Sequence, residues 1–153
     1  MSTPKTLTVS LLLLVAVGCT GCQRQPDRSE APHPRIIAFS PALATILFEM
    51  GLGDHVVAIS EYTVVPVGRN LPVVGSSRDV RVEPILAVHP DVVLTQSELR
   101  HYQTLQQIQP DLVIEHFSLT TLEEVALAME RIGRIVNRPV LGTTAANQFC
   151  KQL

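Results

Sequence analysis

The side chains with chemistry to offer come in short polar groups: Ser40-Pro41, Glu61-Tyr62-Thr63, Ser76-Ser77-Arg78, Gln96-Ser97-Glu98 and Glu115-His116-Phe117. Four of the five groups follow a short apolar run that reads as a strand. Ligands of open parallel sheets bind beyond the carboxyl ends of the strands. That rule nominates Ser40, Pro41, Tyr62, Thr63, Ser97 and His116, and the long loop before residue 79 adds Ser76, Ser77 and Arg78. The chemistry on offer is recognition. Tyr62 is an amphipathic ring on a loop, suited to ligand contact or to loop packing. Arg78 or Arg100 can pair with an anion or stand solvated. Catalysis finds little support. There is no G-x-S-x-G elbow and no Walker A sequence, and Gly51-Leu52-Gly53 follows a helical pattern where a dinucleotide fingerprint needs a strand. The five histidines (His33, His55, His89, His101, His116) share no ligand spacing, so a bound bare metal is not expected. A redox or nucleotide-binding α/β enzyme remains the rival reading from another class.

The elements that must hold these groups are organised around residues 82–114. The unit there occurs twice, ending Val88-His89-Pro90-Asp91-Val92-Val93-Leu94 and Ile108-Gln109-Pro110-Asp111-Leu112-Val113-Ile114. Proline removes a backbone donor and disfavours helix in the residue before it, which predicts helix ends near His89 and Gln109. The apolar runs after each Pro-Asp lack alternation, as in strands covered on both faces. Leu99, Tyr102, Leu105 and Ile108 lie at helical spacing between them. Strand, helix, strand in that order is a parallel unit with a right-handed crossover.

Upstream, Ile36-Ile37-Ala38-Phe39 predicts a first buried strand, and Ser40-Pro41 opens a helix, Ser as cap and Pro in the first turn. Leu43, Ile46, Leu47 and Met50 form its apolar stripe, and Gly51 fits the left-handed position after it. Val56-Val57-Ala58-Ile59 is a second strand, and 60–77 a long irregular connection. Glu83-Pro84 begins the next helix, with Ile85, Leu86 and Val88 inward. Thr120 or Thr121 caps a later helix with Glu123 and Glu124 at its positive end. Leu122, Val125, Leu127, Met129, Ile132 and Ile135 are its expected buried side, and it ends by Arg138-Pro139. The expected fold is α/β, a Rossmann-like lobe of four parallel strands sandwiched by helices, over residues 35–139. Residues 140–153 read as the start of a further, linking helix from Gly142, with nothing to pack on.

The chain has 153 residues and a formal net charge of -2, with scattered basic residues and no expected nucleic-acid partner. Residues 1–18 read as a secretory signal: Lys5, an apolar core from Leu7 to Val17, then small residues. That core is too short to span a bilayer. Ala16-Val17-Gly18-Cys19 resembles a bacterial lipobox, with Cys19 as the lipidated first residue, although Ala16 stands where Leu is usual. Plain secretion with cleavage nearby is the alternative. Residues 19–34, with Pro26, Pro32 and Pro34, read as an extended tether.

Several stretches together resemble the N-terminal lobe of the cobalamin/ferric-siderophore class of periplasmic substrate-binding proteins. They are Arg35-Ile36-Ile37-Ala38-Phe39-Ser40-Pro41, Leu47-Phe48-Glu49-Met50-Gly51-Leu52-Gly53-Asp54, Leu71-Pro72-Val73-Val74-Gly75, and Glu83-Pro84-Ile85-Leu86-Ala87-Val88-His89-Pro90-Asp91-Val92-Val93-Leu94. The resemblance implies a non-enzymatic receptor whose two lobes enclose a small-molecule ligand, cobalamin or a ferric siderophore, and hand it to the permease of an ABC importer. It implies that Glu83 docks on that permease. A lipid on Cys19 would hold the receptor at the membrane, in the bacterial periplasm or at the cell surface. It also makes the second lobe absent here, so that a truncated receptor or a non-functional truncated product is expected. Where the family often has Tyr-x-x-Tyr-Pro, this chain has Tyr62-Thr63-Val64-Val65-Pro66, which leaves the ligand class open.

Overall fold

The computed structural model describes residues 33–152. The elements run β1 (Ile36–Phe39), α1 (Pro41–Glu49), β2 (Val56–Ile59), β3 (Gly75–Ser76), β4 (Asp79–Val80), α2 (Val82–Ala87), β5 (Val92–Thr95), α3 (Gln103–Ile108), β6 (Val113–His116), α4 (Leu122–Ile135) and α5 (Pro139–Lys151). The lobe is α/β, with four parallel strands in the order β2-β1-β5-β6. β3 and β4 form a separate antiparallel hairpin.

Side chains alternate across a strand, and here both faces are apolar. Ile36, Ala38, Val56, Val92 and Leu94 meet Leu43, Ile46 and Leu47 of α1, Met129 and Ile132 of α4, and Ala146 of α5. Ile37, Phe39, Ala58 and Val93 meet Ile85 of α2, then Tyr102, Leu105 and Leu112 on the opposite face. β1 lies at the centre, and all four of its residues are buried. Its entry is clamped. The Arg35 backbone N–H donates to Asp91 Oδ2 at 2.7 Å, and the Arg35 guanidinium donates to the carbonyls of His89 and Val88, each at 2.9 Å. Asp91 of the first Pro-Asp pair thus ties β1 to the start of β5.

Several expectations change in the folded chain. The connection 60–77 is not wholly irregular. Residues 72–74 run beside the outer edge of β2, with Val73 bridged to Ile59, before the chain enters the β3–β4 hairpin. β6 is an edge strand, so one side of it stays wet and Val113 is 46% exposed. Leu99 and Ile108 are exposed as well. The helix read over 98–108 begins as a 3-10 turn over Leu99–Tyr102, so a single 3.6-residue period does not describe it. On α4, Leu122 and Leu127 face solvent, and Ala128, Met129, Ile132 and Gly133 are the buried residues. α5 starts at Pro139, earlier than Gly142, and it has a surface to pack on. Gly133 and Gly142 bring α4 and α5 so close that a Cβ on Gly133 would stand 2.7 Å from the Gly142 Cα. Cys19 lies outside the described residues.

Candidate functional site

The chain leaves β1 toward β2 on one side, and later returns to β5 on the other side of β1. Adjacent strands whose connections diverge open a crevice at their carboxyl ends. A cavity of about 900 Å³ occupies that position. It is lined by Phe39, Ser40, Pro41, Ser60, Glu61, Tyr62, Ser76, Ser77, Arg78, Gln96, Ser97, Glu98 and His101. Seven of the nominated ligand residues meet there: Ser40, Pro41, Tyr62, Ser76, Ser77, Arg78 and Ser97.

Two nominated residues do not. The Thr63 hydroxyl lies 3.1 Å from that of the lining residue Ser60 and bonds to it, but Thr63 itself does not line the cavity. His116 ends β6, on the far side of β5 from β1, and does not line the cavity; its carbonyl accepts from Arg131 at 3.2 Å. Glu115 is held by Arg131, whose guanidinium also lies 4.4 Å from the centre of the Phe117 ring. The carboxyl-end rule fails for β6 because the switch lies between β1 and β5. Glu83 is exposed in the first turn of α2 and does not line the cavity.

Ser40 has a different job from the expected cap. Its hydroxyl makes no cap bond to α1 and donates to Gln96 Oε1, linking the ends of β1 and β5 across the crevice. α1 still starts with Pro41 in its first turn. The loop after β5 is fixed by hydroxyls. The Ser97 N–H donates to Thr95 Oγ1 at 2.9 Å, Thr95 Oγ1 lies 2.7 Å from the Tyr102 hydroxyl, and Ser97 Oγ donates to the Ser77 carbonyl at 3.4 Å. Gly75 has a φ of 138°, and a Cβ there would meet the Asp79 carbonyl at 2.5 Å and the Phe39 ring at 3.3 Å. The hairpin that carries Ser76 and Ser77 therefore presses on the cavity floor through a residue only glycine can be.

The lining carries both signs of charge. Arg78 is exposed, Glu98 is held by Arg100 at 2.9 Å, and Glu61 is half-buried. Arg100 does not line the cavity. Glu61, Gln96 and Glu98 line the cavity from within the polar groups read in the sequence, and Phe39, Ser60 and His101 joined the site without being singled out in any of them. Phe39 and Ser60 flank groups that were, and His101 follows the loop on the 3-10 turn, one residue before buried Tyr102. That adjacency was the available signal. Among the described residues no group of three or more His, Cys, Asp or Glu is placed to hold a metal. No helix among them is long and apolar enough to cross a membrane.

Residues 36–152 match the family model described as periplasmic binding protein. The chain belongs to that family. Its curated relatives include the vitamin B12-binding protein of Vibrio campbellii, 29% identical over 127 residues, which span 82% of this chain and 46% of that protein. The vitamin B12-binding protein of Vibrio cholerae is 29% identical over 147 residues, 94% of this chain and 53% of that one. The crystal structure of the periplasmic vitamin B12 binding protein BtuF of Vibrio cholerae superposes with a TM-score of 0.67 at 30% identity, over 78% of this chain and 48% of that one. The heme binding protein HutB of Vibrio cholerae reaches a TM-score of 0.70 at 22% identity over similar shares, a likeness of fold. The chain spans about half the length of the curated relatives it matches. The described part of this periplasmic binding protein is a single lobe with its cavity open on one side.

Proposed function

We propose that this lobe is the N-terminal half-site of a receptor for a corrinoid of the vitamin B12 type, held for delivery to the permease of an ABC importer. The observation that carries the reading is the cavity at the β1–β5 switch point, lined with hydroxyls and an amide, in a chain whose relatives are vitamin B12-binding proteins. A corrinoid is a broad ring fringed with amides. Ser76, Ser77, Ser97 and Gln96 offer such groups neutral partners, and Tyr62 and Pro41 offer the ring apolar surface. The charges also favour this class. One arginine stands against two carboxylates in the lining, and an anionic ferric siderophore is better served by a cationic site.

In this reading Glu83, exposed at the start of α2, docks on the permease while its charge also suits the positive end of the helix. Cys19 carries a lipid that keeps the receptor at the membrane, on the periplasmic side or at the cell surface. Intact mass after expression in a bacterial host checks the anchor: a lipid-modified Cys19 at the mature N-terminus is expected, and an unmodified one refutes it.

Ligand class is tested by titrating cyanocobalamin into the chain while following backbone amide shifts. Saturable shifts at Ser76, Ser77 and Ser97 are expected, with weak affinity because one side of the ligand stays in water. No shift at millimolar cyanocobalamin, with shifts from a ferric hydroxamate or hemin, moves the ligand to that class.

A further inference from the structure

Tyr102 is fully buried, yet it is a tyrosine. Its neighbours are apolar: Ile37, Phe39, Val93 and Leu105 belong to the same cluster. A phenylalanine would fill that space without burying a hydroxyl, which is costly unless it is hydrogen-bonded. The bond it makes is to Thr95 Oγ1, at 2.7 Å, and Thr95 is itself fully buried. Thr95 is the last residue of β5, the point where the apolar strand gives way to the cavity. The same Thr95 oxygen accepts the Ser97 N–H at 2.9 Å. On the neighbouring strand, in register with Thr95, the Phe39 ring that lines the cavity meets the Tyr102 ring edge-on, with centres 5.7 Å apart.

We propose that Tyr102, which touches no ligand, is a positioning residue for the recognition site: its hydroxyl, through Thr95, fixes the Ser97 backbone and so the direction in which Gln96 and Ser97 face a ligand. The inference rests on the corrinoid-receptor reading for its functional half only. Without the phenol, Thr95 Oγ1 is free to rotate with its side chain and the 96–98 loop loses its anchor to the core. The bond that the Ser40 hydroxyl donates to Gln96 Oε1 across the crevice then loosens at its Gln96 end. Burial raises the pKa of the phenol, against the opposing influence of Thr95 and Ser97, so the hydroxyl stays protonated and neutral.

The test is Tyr102→Phe, which keeps the ring and its packing, together with Thr95→Val and the double variant. Amide hydrogen exchange is measured in the chain without ligand, and cyanocobalamin affinity by titration. In Tyr102→Phe the Ser97 amide is expected to exchange roughly three- to tenfold faster, the equilibrium value of one hydrogen bond. Amides of Ile37 and Ala38 on β1 should keep wild-type rates. Cyanocobalamin affinity should fall by a similar factor, and the double variant should be no worse than the worse single one, as for two residues acting through one bond. Wild-type exchange at Ser97 in Tyr102→Phe overturns the proposal. So does uniform loss of protection across the sheet with unchanged affinity, which is what a merely structural role gives. A wild-type chain that does not bind cyanocobalamin refutes the corrinoid reading instead, and the Ser97 exchange rate still decides whether Tyr102 sets the loop.

Discussion

The Tyr62 ring is 90% exposed at the mouth of the cavity, on a backbone turned to a φ of 63°. Left-handed backbone is uncommon outside glycine and costs free energy that the surroundings must supply. The side chain recovers none of that cost in the unliganded lobe, since it packs on almost nothing. Tyr62→Ala should therefore leave thermal stability within about 0.5 kcal/mol, while weakening cyanocobalamin binding measurably. A large drop in melting temperature would show that the ring packs within the lobe after all. At this scale the sequence was a fair guide to which side chains gather and a poor one to what each does. Ser40 before Pro41 has the composition of a cap, but a cap bond competes with any other acceptor in reach. Gln96 comes within reach only when β1 and β5 are neighbours, and that adjacency is not written in either stretch.

The element with the plainest local signal is α4. Thr121 accepts from the Glu124 N–H at 3.2 Å, and the Glu124 carboxylate accepts from the backbone of Thr120 and Thr121, closing a capping box. Bonds from the Thr120 hydroxyl and N–H, with Ser118, hold the Glu124 carboxyl down at about 2. The depressed value means a contribution present above the usual carboxylate range and lost as pH falls from about 4.5 to 2. His55, buried in the turn before β2 with Nδ1 unbonded, has its pKa lowered chiefly by burial, so acid acts in the same direction from 6.5 downward. Acid titration followed by amide exchange should thus loosen the residues around His55 first and the first turn of α4 last. Glu124→Gln should remove the second step alone; a second step that survives it would assign the titration to another carboxyl.

α4 and α5 meet through Gly133 and Gly142, and Gly133→Ala would drive a methyl into backbone at under 3 Å. Overpacking of that kind costs about 1–3 kcal/mol, to be read as a fall in unfolding free energy; an unchanged value would mean that α5 simply moves away. The helical pattern foretold α4 and narrowed its cap to Thr120 or Thr121, of which Thr121 is the cap; the helix ends at Ile135, short of the Arg138-Pro139 limit set by the proline. The pattern did not foretell which of its leucines would be wet, because the covering partner, α5, was read as having no place to pack.

For the whole molecule, the Pro-Asp repeat and the non-alternating apolar runs announced a parallel sheet with helices on both faces. The strand order is a long-range fact and came only with the structure, and with it the location of the cavity. His116 stands outside that cavity for this reason. Every parallel strand has a carboxyl end, but only the pair flanking the reversal opens a crevice. The β3–β4 hairpin was missed because two-residue strands carry no periodicity. Docking belongs to this scale as well. Glu83→Ala should weaken binding to the cognate permease, measured with the receptor and permease in detergent or nanodiscs. Cavity amide shifts and cyanocobalamin affinity should stay as in the wild type, and unaltered permease binding would return Glu83 to a role at the helix terminus.

The clamp at Arg35 has a mechanical consequence. A pull transmitted along the chain enters the lobe at the amino end of β1, beside Asp91 and opposite the cavity mouth. β1 is flanked by parallel ladders to β2 and β5. Force along its axis therefore loads both ladders in shear, with many bonds sharing the strain at once, whereas an edge strand would unzip one bond at a time. The fold is gripped through a strand paired on both sides, at the end opposite the cavity.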